Sequence, residues 1–160
     1  MTLARLGAAA AMACAAWRGV PAQNSTPRYA EYRGDVVISR RTAVQAGVGQ
    51  VVPLGVYVRL GFDAAAGATW RDGSAHASGR VDAIARFLLD PFREIPIAVS
   101  VGGGVSVPYA QGDTKTRPYL TAVIDVEGRK HGALTPAVQI GLGGGVRAGL
   151  VFRASPNTRR

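Results

Sequence analysis

The sequence has little of several residue types that define common protein classes. It contains 1 Cys and 2 His in 160 residues, which excludes an intramolecular disulfide framework and a zinc finger or ribbon. No apolar run reaches the roughly 18 residues of a membrane-spanning helix. Helical spacing of apolar residues is also hard to find, and 21 glycines argue against long helices. What is present is a chain that is 48% apolar, enough to fold, with a net charge of +9.

Residues 1–22 have the composition of a secretory signal. Arg5 supplies a positive start, residues 6–17 form an uncharged, alanine-rich core, and a small residue precedes the expected cleavage site before Gln23. The core is too short to cross a bilayer as a helix. The segment ending at Cys14 loosely resembles a bacterial lipobox, so lipidation of Cys14 is an alternative to simple cleavage. Cleavage removes the only cysteine, which suits an oxidising compartment.

Apolar and polar residues alternate with a period of two through most of the remaining chain. Between Val56 and Trp70 the even positions are apolar, whereas the odd positions carry charges or very small residues. The same pattern recurs in successive tracts up to residue 153. A period of two predicts β-strands with one polar and one apolar face.

The number of strands depends on two long alternating tracts, 34–52 and 134–153. Each is nearly twice as long as the roughly 9–11 residues that a membrane strand needs. Three-residue turns at 39–41 and 143–145 would keep the even-numbered positions on the apolar face before and after each turn, and they give eight strands. Unbroken tracts would keep the same pattern and give six strands. We expect eight, because single-chain bacterial barrels have even strand numbers from eight upward. We also expect short turns near 53–55 and 90–94 and longer loops, 71–78 and 110–118, at the opposite end.

The alternation alone fits a soluble barrel as well as a membrane barrel, so the side chains decide which face is inside. The apolar face carries no charge over four strands, as contact with lipid requires. The polar face mixes isolated charges with small residues and has few lysines and glutamates, unlike a soluble exterior. We expect an interior charge network of Arg59, Asp63, Arg80, Asp82, Arg86, Asp125, Glu127 and Arg147. Aromatic residues near the strand ends predict interfacial girdles formed by Trp70, Phe87, Tyr109 and Phe152.

These features resemble the small outer-membrane β-barrel family of Gram-negative-type bacteria. The resemblance covers residues 35–153, with glycine-interrupted strands and a late apolar segment ending at Phe152. It implies an all-β, up-and-down antiparallel transmembrane barrel, monomeric and inserted by the barrel assembly machinery, which recognises a C-terminal aromatic residue. This chain departs from the pattern by continuing past that aromatic. The predicted division is a signal (1–22), an N-terminal segment (23–33), a β-barrel (34–153) and a tail (154–160).

The function expected of such a barrel is non-enzymatic. Its interior would be filled by side chains, and its loops would contact lipid head groups or a partner. The basic loop residues suited to lipid phosphates are Arg40, Arg41, Arg71, Lys115 and Arg117. The arginines follow the strand period rather than clustering, so nucleic acid is not an expected partner. Neither glycine triplet precedes a helix or a Lys-Ser/Thr pair, and we expect no cofactor or metal.

Two other functions remain open at this point. One is a secreted soluble barrel, similar to a lipocalin, that carries a lipophilic ligand inside. The other is an outer-membrane hydrolase that modifies lipid A, for which His76 lies near Asp72, Ser74 and Ser78. Residues of these types are also common in loops, so their closeness along the chain does not by itself make a catalytic triad.

Overall fold

The computed structural model describes residues 28–71, 73–92, 96–113 and 116–154. The predicted signal with Cys14 lies outside the described residues, as do Asp72, Lys115 and residues 155–160 of the predicted tail. The described chain forms eight strands: β1 (Tyr29–Ile38), β2 (Thr42–Pro53), β3 (Val58–Arg71), β4 (Ser74–Leu88), β5 (Ala98–Ala110), β6 (Tyr119–Glu127), β7 (Leu134–Leu142) and β8 (Val146–Ala154). No helix within these ranges is long and apolar enough to cross a membrane.

The strands form a closed antiparallel barrel in chain order. Each strand pairs with the next, and β1 also pairs with β8, from Ala30 opposite Ala154 to Ile38 opposite Val146. Closure leaves no free sheet edge, so every strand has hydrogen-bonding partners on both sides. The predicted up-and-down topology is confirmed.

The eight-strand alternative is correct, and the six-strand alternative is wrong. Residues 39–41 join β1 to β2, and residues 143–145 join β7 to β8, so both long tracts fold at the predicted three-residue turns. The flanking pairs are Ile38 with Thr42 and Leu142 with Val146. At the second turn Gly144 has a φ of 68° and its missing Cβ would lie 2.6 Å from the ring of Tyr119, so this position requires glycine.

The barrel begins earlier than the sequence pattern indicated. Strand β1 starts at Tyr29, so residues 29–33, predicted as part of an N-terminal segment, belong to the wall, and β8 extends to Ala154. The reason is that this short stretch also alternates: Glu31 and Arg33 point inward on either side of the exposed Tyr32. Pairing with two neighbours stabilises β1 over its full length.

The predicted alternation of short and long links is wrong. At the end that carries both termini, here called the terminal end, the links are residues 54–57, 89–97 and 128–133. At the opposite end, the distal end, they are 39–41, 72–73, 111–118 and 143–145. The expected loop at 71–78 is absent because Arg71 pairs directly with Ser74, so β4 begins three residues after β3 ends. The distal rim therefore consists mostly of tight turns.

Candidate functional site

The outer wall of the barrel is apolar. Its exposed side chains include Val81, Ile124 and Leu150, with exposed fractions of 57%, 53% and 58%. No outward-facing position of the described strands carries a charged side chain. A wall of this kind matches hydrocarbon rather than water as its surroundings.

The opposite faces of the same strands enclose two groups of ion pairs. The terminal cluster lies nearest the terminal end and consists of Glu31, Arg59, Arg86, Asp125, Glu127 and Arg153. Within it, Arg153 Nη2 lies 2.9 Å from Glu31 Oε1 and 3.3 Å from Asp125 Oδ1. On the other side of the lumen, Arg86 Nε lies 2.9 Å from Asp125 Oδ2. These side chains come from five different strands, so the cluster ties the wall together across the barrel.

The distal cluster lies closer to the distal end than the terminal cluster does. It consists of Arg33, Asp35, Asp63, Arg80, Asp82 and Arg147. Arg80 donates from Nη2 to Asp35 Oδ2 and from Nε to Asp82 Oδ2, at 2.7 Å and 2.8 Å. Arg147 Nη1 also donates to Asp82 Oδ2, at 2.5 Å. Arg33 on β1 reaches past β2 to Asp63 on β3, at 2.8 Å between Nη1 and Oδ2.

Gln139 joins the two clusters into one network. Its Nε2 donates to Asp125 Oδ1 at 3.0 Å, and its Oε1 accepts from Arg33 and Arg147. The network holds six carboxylates and six guanidinium groups, so their formal charges cancel. The network therefore contributes nothing to the chain's net charge of +9.

The structure brings all eight predicted interior charges together inside the barrel. They are joined by four charged residues that were not part of the prediction, Glu31, Arg33, Asp35 and Arg153. Glu31 and Arg33 lie in the predicted N-terminal segment (23–33), and Asp35 lies at the start of the predicted barrel (34–153). The signal that identifies them is their alternation with Tyr32 and Gly34. Gln45 and Gln139 complete the network and were likewise missed.

Glycines make room for these large side chains in a narrow lumen. A Cβ on Gly149 would overlap the carboxylate of Asp35, which faces it in the β1–β8 pair. A Cβ on Gly61 would lie 2.7 Å from Arg86 Nη1. These two inward-facing glycines therefore provide room for charged side chains inside the barrel.

A vestibule opens at the distal end above the ion-pair network. This open cavity of about 410 Å³ is lined by residues that include Arg40, Arg41, Gln45, Ser78, Arg80 and Tyr119. Gln45 Nε2 donates to Ser78 Oγ at 3.2 Å near its floor. On the rim, Arg41 Nη1 pairs with Asp113 Oδ1 at 3.0 Å. The vestibule therefore has a mixed polar and apolar lining, with basic groups at its mouth.

Four of the five predicted phosphate-binding residues lie on this distal rim. Arg40 and Arg41 line the vestibule, and Arg71 and Arg117 are exposed at the ends of neighbouring links. Lys115 lies outside the described residues. The four described arginines approach one rim but surround no single pocket, since only Arg40 and Arg41 line the vestibule.

The four predicted girdle residues lie at the two ends of the outer wall. Trp70 and Tyr109 are exposed near the distal end, and Phe87 and Phe152 are exposed near the terminal end. Amphipathic and aromatic rings at these levels suit the two bilayer interfaces.

Comparisons with known proteins support the architecture. No family model and no curated protein matches the sequence. Among solved structures, the crystal structure of Neisserial surface protein A, an outer-membrane eight-stranded β-barrel, aligns with a TM-score of 0.62. The alignment covers 84% of this chain and 100% of that chain at 13% sequence identity. The two proteins share the closed, eight-stranded, up-and-down β-barrel fold. At this identity the likeness concerns the fold alone.

The residues considered for hydrolysis are not joined by hydrogen bonds in the described part of the chain. His76 is half-buried and Ser74 is exposed, while the hydroxyl of Ser78 accepts a hydrogen bond from Gln45. Among the described residues, no hydrogen bond joins His76 to either serine, and Asp72 lies outside them. The described residues also contain no group of three or more His, Cys, Asp or Glu that could hold a metal ion.

Proposed function

We propose that the chain is a non-enzymatic β-barrel of the bacterial outer membrane, sealed inside by ion pairs and bounded outside by lipid. The observation that supports this most is the division between its two faces. Twelve charged side chains are turned into the lumen, whereas the outer wall of the described strands carries none. In water, this arrangement would leave the apolar wall exposed while still burying the ions at a cost of several kcal/mol each. In a bilayer, the same wall is solvated by hydrocarbon.

We infer that the barrel does not conduct solutes. Eight strands leave an interior just wide enough for side chains. Here guanidinium groups cross the lumen, as in the contact of Arg147 on β8 with Asp82 on the opposite strand β4, and Gln139 connects the two clusters. We therefore infer that the protein acts through contacts made by its surface.

The distal rim is the part of that surface best suited to a ligand. Arg40, Arg41, Arg71 and Arg117 lie there, and Asp113 pairs with Arg41. Arginine binds phosphate oxygens through parallel N–H donors, so anionic lipid head groups are the partners that this rim fits. Because three of the four distal links have only two or three residues, most of these contacts would be made by the rim itself, and Arg117 would contribute from the longer link 111–118.

The soluble lipocalin-like alternative has less support. A lipophilic ligand needs an apolar cavity. The lumen is instead filled by the ion-pair network, and Arg86 and Gln139 are among its fully buried side chains. A ligand would have to displace paired charges and leave them unsatisfied.

Cell fractionation combined with gel mobility tests the membrane assignment. We expect the protein in the outer-membrane fraction, released only by detergent, with a change in gel mobility when the sample is boiled, because a closed barrel resists unfolding until heated. Recovery in the soluble fraction without detergent would contradict the proposal.

Native mass spectrometry of the barrel with bound phosphatidylglycerol tests the head-group assignment. We expect the combined substitution of Arg40, Arg41, Arg71 and Arg117 by serine to reduce the number of retained lipid molecules. The matched control replaces Arg129 and Lys130 at the terminal end and is compared with a distal variant in which only Arg40 and Arg41 are replaced, so that each variant removes two cations. Equal lipid retention by the two variants would remove the distal rim as the binding surface while leaving the membrane assignment intact.

A further inference from the structure

An aromatic series leads from the outer wall into the turns at the terminal end. Phe87 is the last outward-facing residue of β4 and is exposed on the wall. The ring of Tyr57, in the β2–β3 link, stacks on Phe87 with a centroid separation of 5.6 Å and an interplanar angle of 9°. Phe92, in the β4–β5 link, contacts the same tyrosine edge-on at 6.4 Å. The apolar wall therefore continues below the strands without a break.

These two links carry an unusual amount of exposed apolar surface. The turn patch consists of Leu54, Val56, Tyr57, Leu89, Phe92 and Ile97, all of them exposed, with Phe92 at 72%. A hydrogen bond of 2.8 Å from Leu88 N to Tyr57 O holds the β2–β3 link against the end of β4. Contiguous exposed apolar surface of this kind marks a site of contact with a partner or with a membrane.

The other side of the terminal end is different. The β6–β7 link exposes Arg129, Lys130 and His131 instead of apolar side chains. Among the described residues, the exposed apolar surface of the terminal end is therefore concentrated on the side of the β2–β3 and β4–β5 links.

We propose that the turn patch is a lipid-contact surface that enters the interfacial region of the leaflet at the terminal end. The barrel is thereby anchored more deeply on the side of the β2–β3 and β4–β5 links than on the side of the β6–β7 link. The occupant is the bilayer because the patch is continuous, through Phe87, with the wall that already faces lipid. This inference rests on the proposed membrane location.

Site-directed spin labelling in phosphatidylcholine vesicles tests the inference. The full chain carries Cys14→Ser, and a nitroxide is attached to Val56→Cys or Leu89→Cys. Ala133→Cys, an exposed position in the β6–β7 link, is the matched control, and Ile124→Cys on the outer wall is the lipid reference. Dissolved oxygen speeds the relaxation of a nitroxide that lies in the hydrocarbon of the bilayer. A water-soluble nickel chelate speeds the relaxation of a nitroxide that is exposed to solvent.

We expect the labels at positions 56 and 89 to relax faster with oxygen than with the nickel chelate, like the reference label at position 124. The control label at position 133 should relax faster with the nickel chelate than with oxygen. Solvent exposure at 56 and 89 with lipid contact at 124 overturns this inference alone. Shielding of 56 and 89 from both reagents in native membranes also overturns it, in favour of a protein partner. Solvent exposure at 124 overturns the proposed membrane location and this inference with it.

A second variant links the result to the aromatic series. Phe92→Ser removes the edge contact with Tyr57 and should shift the label at 56 toward the nickel-accessible range. Phe152→Ser removes an exposed aromatic outside the patch and should leave that label unchanged. Equal shifts in the two variants would contradict a role for the turn patch.

Discussion

Removal of Arg153 should strongly destabilise the barrel by unbalancing the terminal cluster. Its guanidinium group is only 4% exposed and contacts three carboxylates, those of Glu31, Asp125 and Glu127. The substitution Arg153→Met leaves these three acids facing two cations, Arg59 and Arg86. Breaking a buried ion pair by removing one partner costs about 3–5 kcal/mol. The ratio of folded to unfolded protein should therefore fall by roughly a hundredfold to a few thousandfold.

A compensating substitution separates charge balance from packing. Adding Glu31→Gln to Arg153→Met returns the cluster to two carboxylates and two guanidinium groups. The amide oxygen at position 31 can still accept from Arg86. We expect the double variant to be more stable than the sum of the two single effects predicts, by about 1–3 kcal/mol, as for residues that share one network.

Urea unfolding in lipid vesicles, followed by circular dichroism of the β-sheet, measures these free energies. Arg153→Lys is the control that keeps the charge and loses the planar fork, so its loss of stability should be smaller than that of Arg153→Met. The reasoning is refuted if Arg153→Met costs less than about 1 kcal/mol, or if the effects of the two substitutions simply add.

Two further predictions concern the inner and the outer face. Gly149→Val should lower the free energy of unfolding by about 1–3 kcal/mol, because the added side chain would overpack against Asp35. Gly34→Val should lower it little, since the space around Gly34 is open. Thermal unfolding compares the two variants, and equal losses would refute the packing argument. Ile124→Arg, midway along β6, should cost about 2–4 kcal/mol in a bilayer, whereas Leu120→Arg near the strand end should cost about 0–1 kcal/mol. Urea unfolding in vesicles measures both, and a larger loss at Leu120 would argue against the membrane depth assigned to these positions.

The strand number could be predicted because it depends on a local property, the parity of side chains. Both long tracts keep their apolar phase across residues 39–41 and 143–145, as three-residue turns require, and the structure has its turns there. Parity also separated the inward from the outward residues of β3 to β8. The start of β1 was missed because residues 29–33 offer too few alternations to stand out from a linker.

The pairing of the interior charges could not be predicted, since it is set by closure of the barrel. Arg86 on β4 meets Glu31 on β1 and Asp125 on β6, which are distant from it along the chain. The lengths of the links were also misjudged. The polar residues around position 74 look like a loop in the sequence, but their backbone continues the β3–β4 pairing as far as Arg71 and Ser74.

The central claim is the orientation of the two faces, and a nitroxide scan along β8 in vesicles tests it most directly. We expect oxygen accessibility to alternate with a period of two from Val146 to Phe152. The maxima should fall at the even positions, and labels at positions such as Val151 should be shielded from both oxygen and the nickel chelate. The account is contradicted if the even positions are shielded and the odd positions respond to the water-soluble chelate, because the apolar rows would then form a dry core.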